Sequence, residues 1–315
     1  MIACLFDGRQ VRLDRHYPEP EAPAGEVRLA LRLAGVCRTD LEIARGYMDF
    51  RGVLGHEFVG VALEGTFEGR RVVGGINCVC GDCDMCRRRL PTHCRRRTTL
   101  GIDGRDGAFA ERLVLPEVNL VPVPDKVPDR SAVFAEPLAA AVQITQQVDL
   151  APEQRIVILG DGRLGQLVAR VFRGRGLAPT VVGKSPAKLD LVRRLGLDAV
   201  RADDVHPDKT ADLVVEATGT ADGLALALRF VRPRGTIVLK STVADTAGLN
   251  LAPLVVDEVT VVGSRCGPMD AAVAMLAEAD LDLEPLVTAE YPLTEADAAL
   301  RAAAEAEAIK ILIRP

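Results

Sequence analysis

The stretch RIVILGDGRLG, residues 155–165, runs an apolar segment straight into a glycine-spaced turn, and a helical pattern from Leu164 to Arg175 follows at once. The apolar run is too short for a helix and reads as a buried strand. Gly160 permits a tight turn, Gly162 lets backbone approach a pyrophosphate, and Gly165 allows close packing of helix on strand. The amides of the helix start, around Arg163 and Leu164, would then face an anion. A glycine turn that only reverses the chain is the plainer reading of a lone GxGxxG. Here the strand before it and the helix after it are what a dinucleotide site requires.

Working outward, strands are expected at Thr180 to Val182, Asp212 to Ala217, Thr236 to Leu239 and Val259 to Val262. Helices are expected at Ala187 to Leu195 and Ala221 to Val231. Alternating apolar strands and helices imply an α/β fold with a doubly wound parallel sheet. Before about Ala135 the pattern differs: short runs at Val27 to Leu33, Phe58 to Leu63, Arg71 to Gly74 and Phe109 to Leu115 sit between Gly and Pro, the mark of a mostly β domain. After Met269 a helix to Ala279 is expected, then an Ala-rich helix capped by Thr294, then a last strand from Ile309 to Ile313.

The second strand of the α/β series ends in VVGKSPAK, where an NAD-preferring site carries an acid for the adenosine ribose 2′-hydroxyl. Gly183 stands at that position. A missing carboxylate removes repulsion against a 2′-phosphate, and Lys184, Ser185 and Lys188 could supply a cation and donors. NADP is therefore expected as the preferred cofactor, with NAD possible if these are ordinary loop residues.

Cys80, Cys83, Cys86 and Cys94 lie in CGDCDMC and a fourth cysteine shortly after it. Two-residue spacers let a turn present successive thiolates to one tetrahedral ion, so structural Zn²⁺ is expected. Disulfides are the bland alternative, but a chain of this length that is not evidently secreted has little need of them. Arg87, Arg88, Arg89, Arg95, Arg96 and Arg97 crowd the cluster and are read as solvated charges offsetting its negative field, rather than as a phosphate-binding patch. His93 is read as a loop histidine, and Cys4, Cys78 and Cys266 as small apolar residues.

Composition bounds the rest. The chain has 315 residues, 48% hydrophobic but only 3% aromatic, with net charge −5. That length suffices for two domains, and mild acidity gives no reason to expect nucleic acid or an anionic membrane as a partner. The N-terminus MIACLFDGRQ lacks a basic leader, and no segment approaches a membrane-spanning length, so a cytoplasmic protein is expected.

Upstream stand Cys37-Arg38-Thr39-Asp40 and Gly55-His56-Glu57, and the β region closes with Glu136-Pro137-Leu138. With the four-cysteine lobe and GDGRLG, in this order, they resemble the zinc-dependent medium-chain alcohol and polyol dehydrogenases across essentially the whole chain. The resemblance implies a GroES-like catalytic domain, residues 1–138 and 268–315 with a zinc lobe at about 78–97, interrupted by a Rossmann dinucleotide-binding domain at 139–267. It implies two zinc ions per chain. Cys37 and His56 would hold a catalytic one together with Glu136, Glu57 or both, because polyol, threonine and glucose dehydrogenases of the family carry a glutamate at the position of Glu136. Thr39 aligns with the hydroxyl that relays the substrate proton, and Asp40 would orient His56. Some relatives end that relay at a histidine where this chain has Glu42. Thr218, in EATG, and Val262 lie where the family meets the nicotinamide. The implied activity is hydride transfer between NAD(P) and a secondary alcohol, polyol or sugar, by a homodimer or homotetramer with Val259 to Val262 as a candidate edge. The alternatives are a non-catalytic NADP(H)-binding redox sensor or structural relative, and a zinc-independent quinone reductase; Cys37, Thr39, His56 and Glu136 together argue against both.

Overall fold

The computed structural model describes residues 1–243, 248 and 250–315. The chain divides into two compact units, one made of Met1–Glu136, Met269–Glu278 and Leu283–Pro315, the other of Pro137–Pro268 and Ala279–Asp282.

In the second unit, six parallel strands lie in the spatial order Ala199–Arg201, Thr180–Gly183, Ile156–Leu159, Ala211–Glu216, Val231–Leu239, Thr260–Gly263. The first strand in sequence lies inside the sheet, and the order reverses beside it. That reversal opens a crevice at the strands' carboxyl ends, where ligands of such sheets bind. Ile156–Leu159 is buried along its whole length, as a parallel strand covered on both faces must be. Helix Arg163–Gly174 buries Leu167, Val168, Val171 and Phe172. Strand Val231–Leu239 begins earlier than the sequence suggests, because Val231 pairs with Ala211 across a bulge before regular pairing resumes at Leu213 and Thr236. The half-exposed strand Ala199–Arg201 escaped the sequence reading, because so short a run carries no hydrophobic signal.

The first unit is built on a seven-stranded sheet in the order Leu120–Pro122, Arg71–Gly74, Glu57–Ala62, Glu26–Gly35, Lys310–Arg314, Val287–Pro292, with Arg112–Pro116 also pairing to Glu26–Gly35. The expected Phe109 to Leu115 strand therefore starts later, although Phe109 still exchanges backbone bonds with Cys4 and Leu54. Thr294 does not cap the Ala-rich helix. It sits in the 3₁₀ turn Leu293–Glu295, which buried Leu293 anchors, and helix Ala296–Ala303 starts after Glu295 without a side-chain cap.

The last strand, Lys310–Arg314, brings an ammonium into the core. Lys310 and Glu57 are both fully buried and form an ion pair, and the ammonium stands 5.3 Å from the centre of the Phe134 ring. Gly35 makes room for it. It pairs with Glu57 on one side and Leu312 on the other, and a Cβ there would stand 2.6 Å from Glu57 Oε2 and 3.3 Å from Lys310 Nζ. Removing one partner of a buried pair leaves an uncompensated charge. Lys310→Met is therefore expected to destabilise the protein by about 3–5 kcal/mol in denaturant unfolding, and adding Glu57→Gln to the same chain to recover part of that loss. An unchanged midpoint for Lys310→Met would contradict this.

Candidate functional site

Three kinds of donor converge in the first unit. The ligating atoms of Cys37, His56 and Glu57 all lie within 4.8 Å of one another. Cys37 precedes the short helix Arg38–Ile43, whose Asp40 turns back so that Oδ2 accepts from the Cys37 N–H at 2.7 Å. The other oxygen, Oδ1, lies 3.1 Å from His56 Nδ1, and neither atom has another partner. One fully buried carboxylate thus holds both the cysteine backbone and the imidazole, and leaves Nε2 as the nitrogen available for ligation. Burial works to lower the pKa of His56, but the adjacent Asp40 and Cys37 outweigh it and hold the value well above the ordinary one. The same negative field would favour a metal cation taking the place of that proton at Nε2.

Glu57 adds a carboxylate whose two oxygens are inequivalent. Oε2 is taken by Lys310, while Oε1 is buried without a hydrogen-bond partner. A buried orphan acceptor beside a thiol and an imidazole fits a metal ion, because coordination supplies the missing partner. Glu136 stands in the first turn of helix Ala135–Val142 and belongs to neither metal-competent group found among the described residues. Thr39 Oγ1 lies 3.8 Å from the Cys37 sulfur. Glu42, at the position of the relay histidine, is held by Arg38 at 2.9 Å and Arg45 at 3.1 Å.

The second metal-competent group is Cys80, Cys83, Cys86 and Cys94. Their sulfurs are separated by 3.4 Å (Cys80 to Cys94), 3.5 Å (Cys83 to Cys86), 3.9 Å (Cys83 to Cys94) and 4.0 Å (Cys80 to Cys86). A tetrahedron with Zn–S bonds of about 2.3 Å has edges of about 3.8 Å, so the donor set fits zinc. Backbone N–H groups of Cys80 and Arg96 each point at the Cys94 sulfur from 3.4 Å. The N–H groups of Arg95 and Cys86 draw the Cys83 thiol down to about 6, and backbone donors lower Cys94 as well. Arg95 and Arg96 are exposed and also pair with carboxylates of the lobe, Arg95 with Asp84 at 2.9 Å and Arg96 with Asp82. Cys4 and Cys78 are buried, whereas Cys266 is only half-buried.

In the second unit the glycines meet their expected constraints. Gly160 has φ +113°, and a Cβ there would lie 2.5 Å from Ala217 O; one on Gly165 would lie 1.9 Å from Gly160 O. Gly162 caps helix Arg163–Gly174 and has open space around it, a cradle that a pyrophosphate could enter. Arg163 and Leu164, both half-buried, form the helix's first turn. Thr218 is fixed by Glu216, whose Oε1 accepts from the Thr218 N–H at 2.8 Å and hydroxyl at 2.6 Å. Val262 is half-buried in the end strand of the sheet. Gly183 closes its strand, Lys184 is exposed, Ser185 Oγ accepts from the Lys188 N–H, and Lys188 is buried. Two residues escaped the sequence reading. Lys310 carried a signal, a lone lysine in an otherwise apolar strand, which demands a partner. Asp161, within GDGRLG, carried none, because its contacts lie one strand away.

Residues 23–125 match the alcohol dehydrogenase GroES-like domain, and residues 131–314 match the glucose dehydrogenase C-terminus. A sorbitol dehydrogenase of Halalkalibacterium halodurans is 28% identical, over 95% of this chain and 94% of the relative. An L-threonine 3-dehydrogenase of Sinorhizobium fredii is 34% identical over 68% of this chain and 64% of its own length. The solved alcohol dehydrogenase TADH from Thermus sp. ATN1 superposes with a TM-score of 0.88 at 28% identity, covering 100% of this chain and 99% of that one.

The lobe has little apolar core of its own: within residues 78–97 the buried side chains are Cys78 and Cys94. Cys83→Ser is expected to make cleavage within residues 78–97 faster by about tenfold or more in limited proteolysis, because local opening loses its crosslink. Cys266→Ser, outside both metal-competent groups, should leave the rate unchanged.

Proposed function

This chain belongs to the zinc-dependent medium-chain dehydrogenase family, and we propose that its substrate is a polyol, sugar or other secondary alcohol. It is an oxidoreductase that transfers hydride between a nicotinamide dinucleotide and an alcohol. The observation that carries the proposal is the meeting of Cys37, His56 and Glu57, with the Thr39 hydroxyl 3.8 Å from the cysteine sulfur. A near full-length likeness to a sorbitol dehydrogenase supports the polyol class.

A zinc ion held by Cys37, His56 and a carboxylate from Glu57 or Glu136 would supply Lewis acidity at the substrate oxygen, and the nicotinamide would carry the hydride. The protein's own groups do the rest. Asp40 fixes the imidazole and the cysteine backbone, so the donor set needs little rearrangement on loading. Thr39 both donates and accepts, and takes the hydroxyl proton at Oγ1 and passes it on without a strong base touching the substrate. Glu42, which stands at the relay histidine's position, has its carboxylate engaged by Arg38 and Arg45. Lys310 holds one oxygen of Glu57 and leaves the other for the ion.

The four-cysteine lobe is read as a second, structural zinc site. In the second unit, the pyrophosphate would lie against the amides that follow Gly162, with Thr218 and Val262 towards the nicotinamide. The domain boundaries near 138 and 268 belong to the same reading. Gly183 alone favours NADP(H); a carboxylate at its side weighs the other way. No helix among the described residues is long and apolar enough to cross a membrane, and a cytoplasmic homodimer or homotetramer is the proposed form. The end position of strand Thr260–Gly263 and the exposure of Val261 support pairing there.

The test is the rate of dinucleotide reduction by zinc-loaded protein across secondary alcohols, polyols, aldoses and threonine, with NAD⁺ and NADP⁺ in parallel. Turnover of a polyol or sugar is expected. Cys37→Ser should abolish it and leave dinucleotide affinity unchanged, and Thr39→Val should lower kcat by roughly 10²–10⁴-fold. A fully active Cys37→Ser enzyme would overturn the assignment.

A further inference from the structure

The GDGRLG loop contains a carboxylate that pyrophosphate binding does not call on. Asp161 Oδ2 accepts from the N–H groups of Lys184 and Ser185, both at 2.7 Å. A Cβ built on Gly183 would stand 2.4 Å from Asp161 Cβ and 2.5 Å from its Cγ and Oδ2. The Asp161 side chain therefore fills the volume that a side chain at position 183 would occupy. Gly183 ends the second strand of the sheet, where the acid that binds an adenosine ribose 2′-hydroxyl is ordinarily carried. The two loops lie side by side, since Gly160 N–H donates to Val182 O at 2.8 Å.

We infer that Asp161 is the cofactor-selecting residue of this chain: reaching across from the first loop, its carboxylate replaces the acid missing at Gly183, accepts from the ribose 2′-hydroxyl and repels a 2′-phosphate, so that NAD(H) is preferred over NADP(H). The inference rests on the reading of the second unit as a dinucleotide site, and it reverses the expectation drawn from Gly183 alone.

Charge and geometry agree on the direction. With Oδ2 engaged by two amides, a carboxylate keeps acceptor capacity on its other oxygen, enough for a hydroxyl donor and unfavourable for a phosphate. The amides of Lys184 and Ser185, the natural donors to a 2′-phosphate at the start of helix Pro186–Arg194, are already spent on Asp161. The Ser185 hydroxyl caps that helix by accepting from the Lys188 N–H at 3.4 Å, and Lys188 is 8% exposed. Of the groups that the sequence offered to a 2′-phosphate, the exposed cation is Lys184.

The arrangement is also held in place. Gln166, fully buried, donates to Asp161 O at 3.3 Å and to Lys188 O at 2.8 Å, and its own oxygen accepts from Arg170 at 2.7 Å. The Asp161 backbone and the helix after Gly183 are thereby tied to one side chain. A 2′-phosphate would have to displace two charge-assisted hydrogen bonds within a braced loop.

The experiment is equilibrium titration of the full-length protein with NADH and with NADPH, followed by fluorescence and needing no substrate, with 5′-AMP and 2′,5′-ADP as competitors that isolate the 2′-phosphate. Wild type should bind NADH at least about tenfold more tightly than NADPH, and Asp161→Asn, which keeps the shape and loses the charge, should shrink that ratio by about tenfold. Asp161→Ser, which retains an acceptor for the two amides, is the second variant, with thermal unfolding used to establish that each is folded. NADPH preference in the wild type, or a ratio unchanged in both folded variants, would overturn the selection by Asp161 and leave the dinucleotide site standing. If neither NADH nor NADPH binds, both the selection by Asp161 and the dinucleotide site are overturned.

Discussion

The ion pair between Lys310 and Glu57 is the contact on which the first unit's chemistry depends. Both groups are shut off from solvent, and 253 positions of sequence separate them. A buried pair contributes little net stability, yet it is costly to break, so it acts mainly as a constraint. It requires the last strand to lie in one register against Glu26–Gly35, and it requires Gly35 to have no side chain. In return it fixes Glu57 with one oxygen satisfied and the other bare beside Cys37 and His56.

Asp40 does the same work at short range. A single carboxylate receives the Cys37 N–H and faces His56 Nδ1, so backbone and imidazole are positioned by one group whose own freedom is removed by burial. The second unit uses a parallel device: Asp161 spans two loops, Glu216 fixes Thr218, and Gln166 braces the loop against the following helix. In each case a buried or half-buried polar side chain spends its hydrogen bonds on backbone that must be held still for a ligand.

Much of this was legible because the relevant signals are local. CxxC spacing, GxGxxG between strand and helix, and the pairs Cys37 to Asp40 and His56 to Glu57 carry their chemistry within a few residues. Contacts formed between distant strands were not legible. Lys310 could be flagged as a lysine in an apolar strand, but its partner could not be named. Gly183 could be recognised as lacking an acid, but nothing in the sequence tells that Asp161 fills the gap. The Thr294 cap failed because the 3₁₀ turn anchored by buried Leu293 moves the helix start on by one residue, an outcome of packing that capping propensity does not contain. The early start of Val231–Leu239 likewise depends on a bulge set by the neighbouring strand.

The central claim is that Cys37, His56 and a glutamate form a metal site separate from the four-cysteine lobe. Elemental analysis of purified protein for zinc per chain, run on wild type, His56→Ala and Cys83→Ser, tests it most directly. The account predicts two zinc ions in wild type and one in each variant. One zinc in wild type that persists in His56→Ala would contradict it.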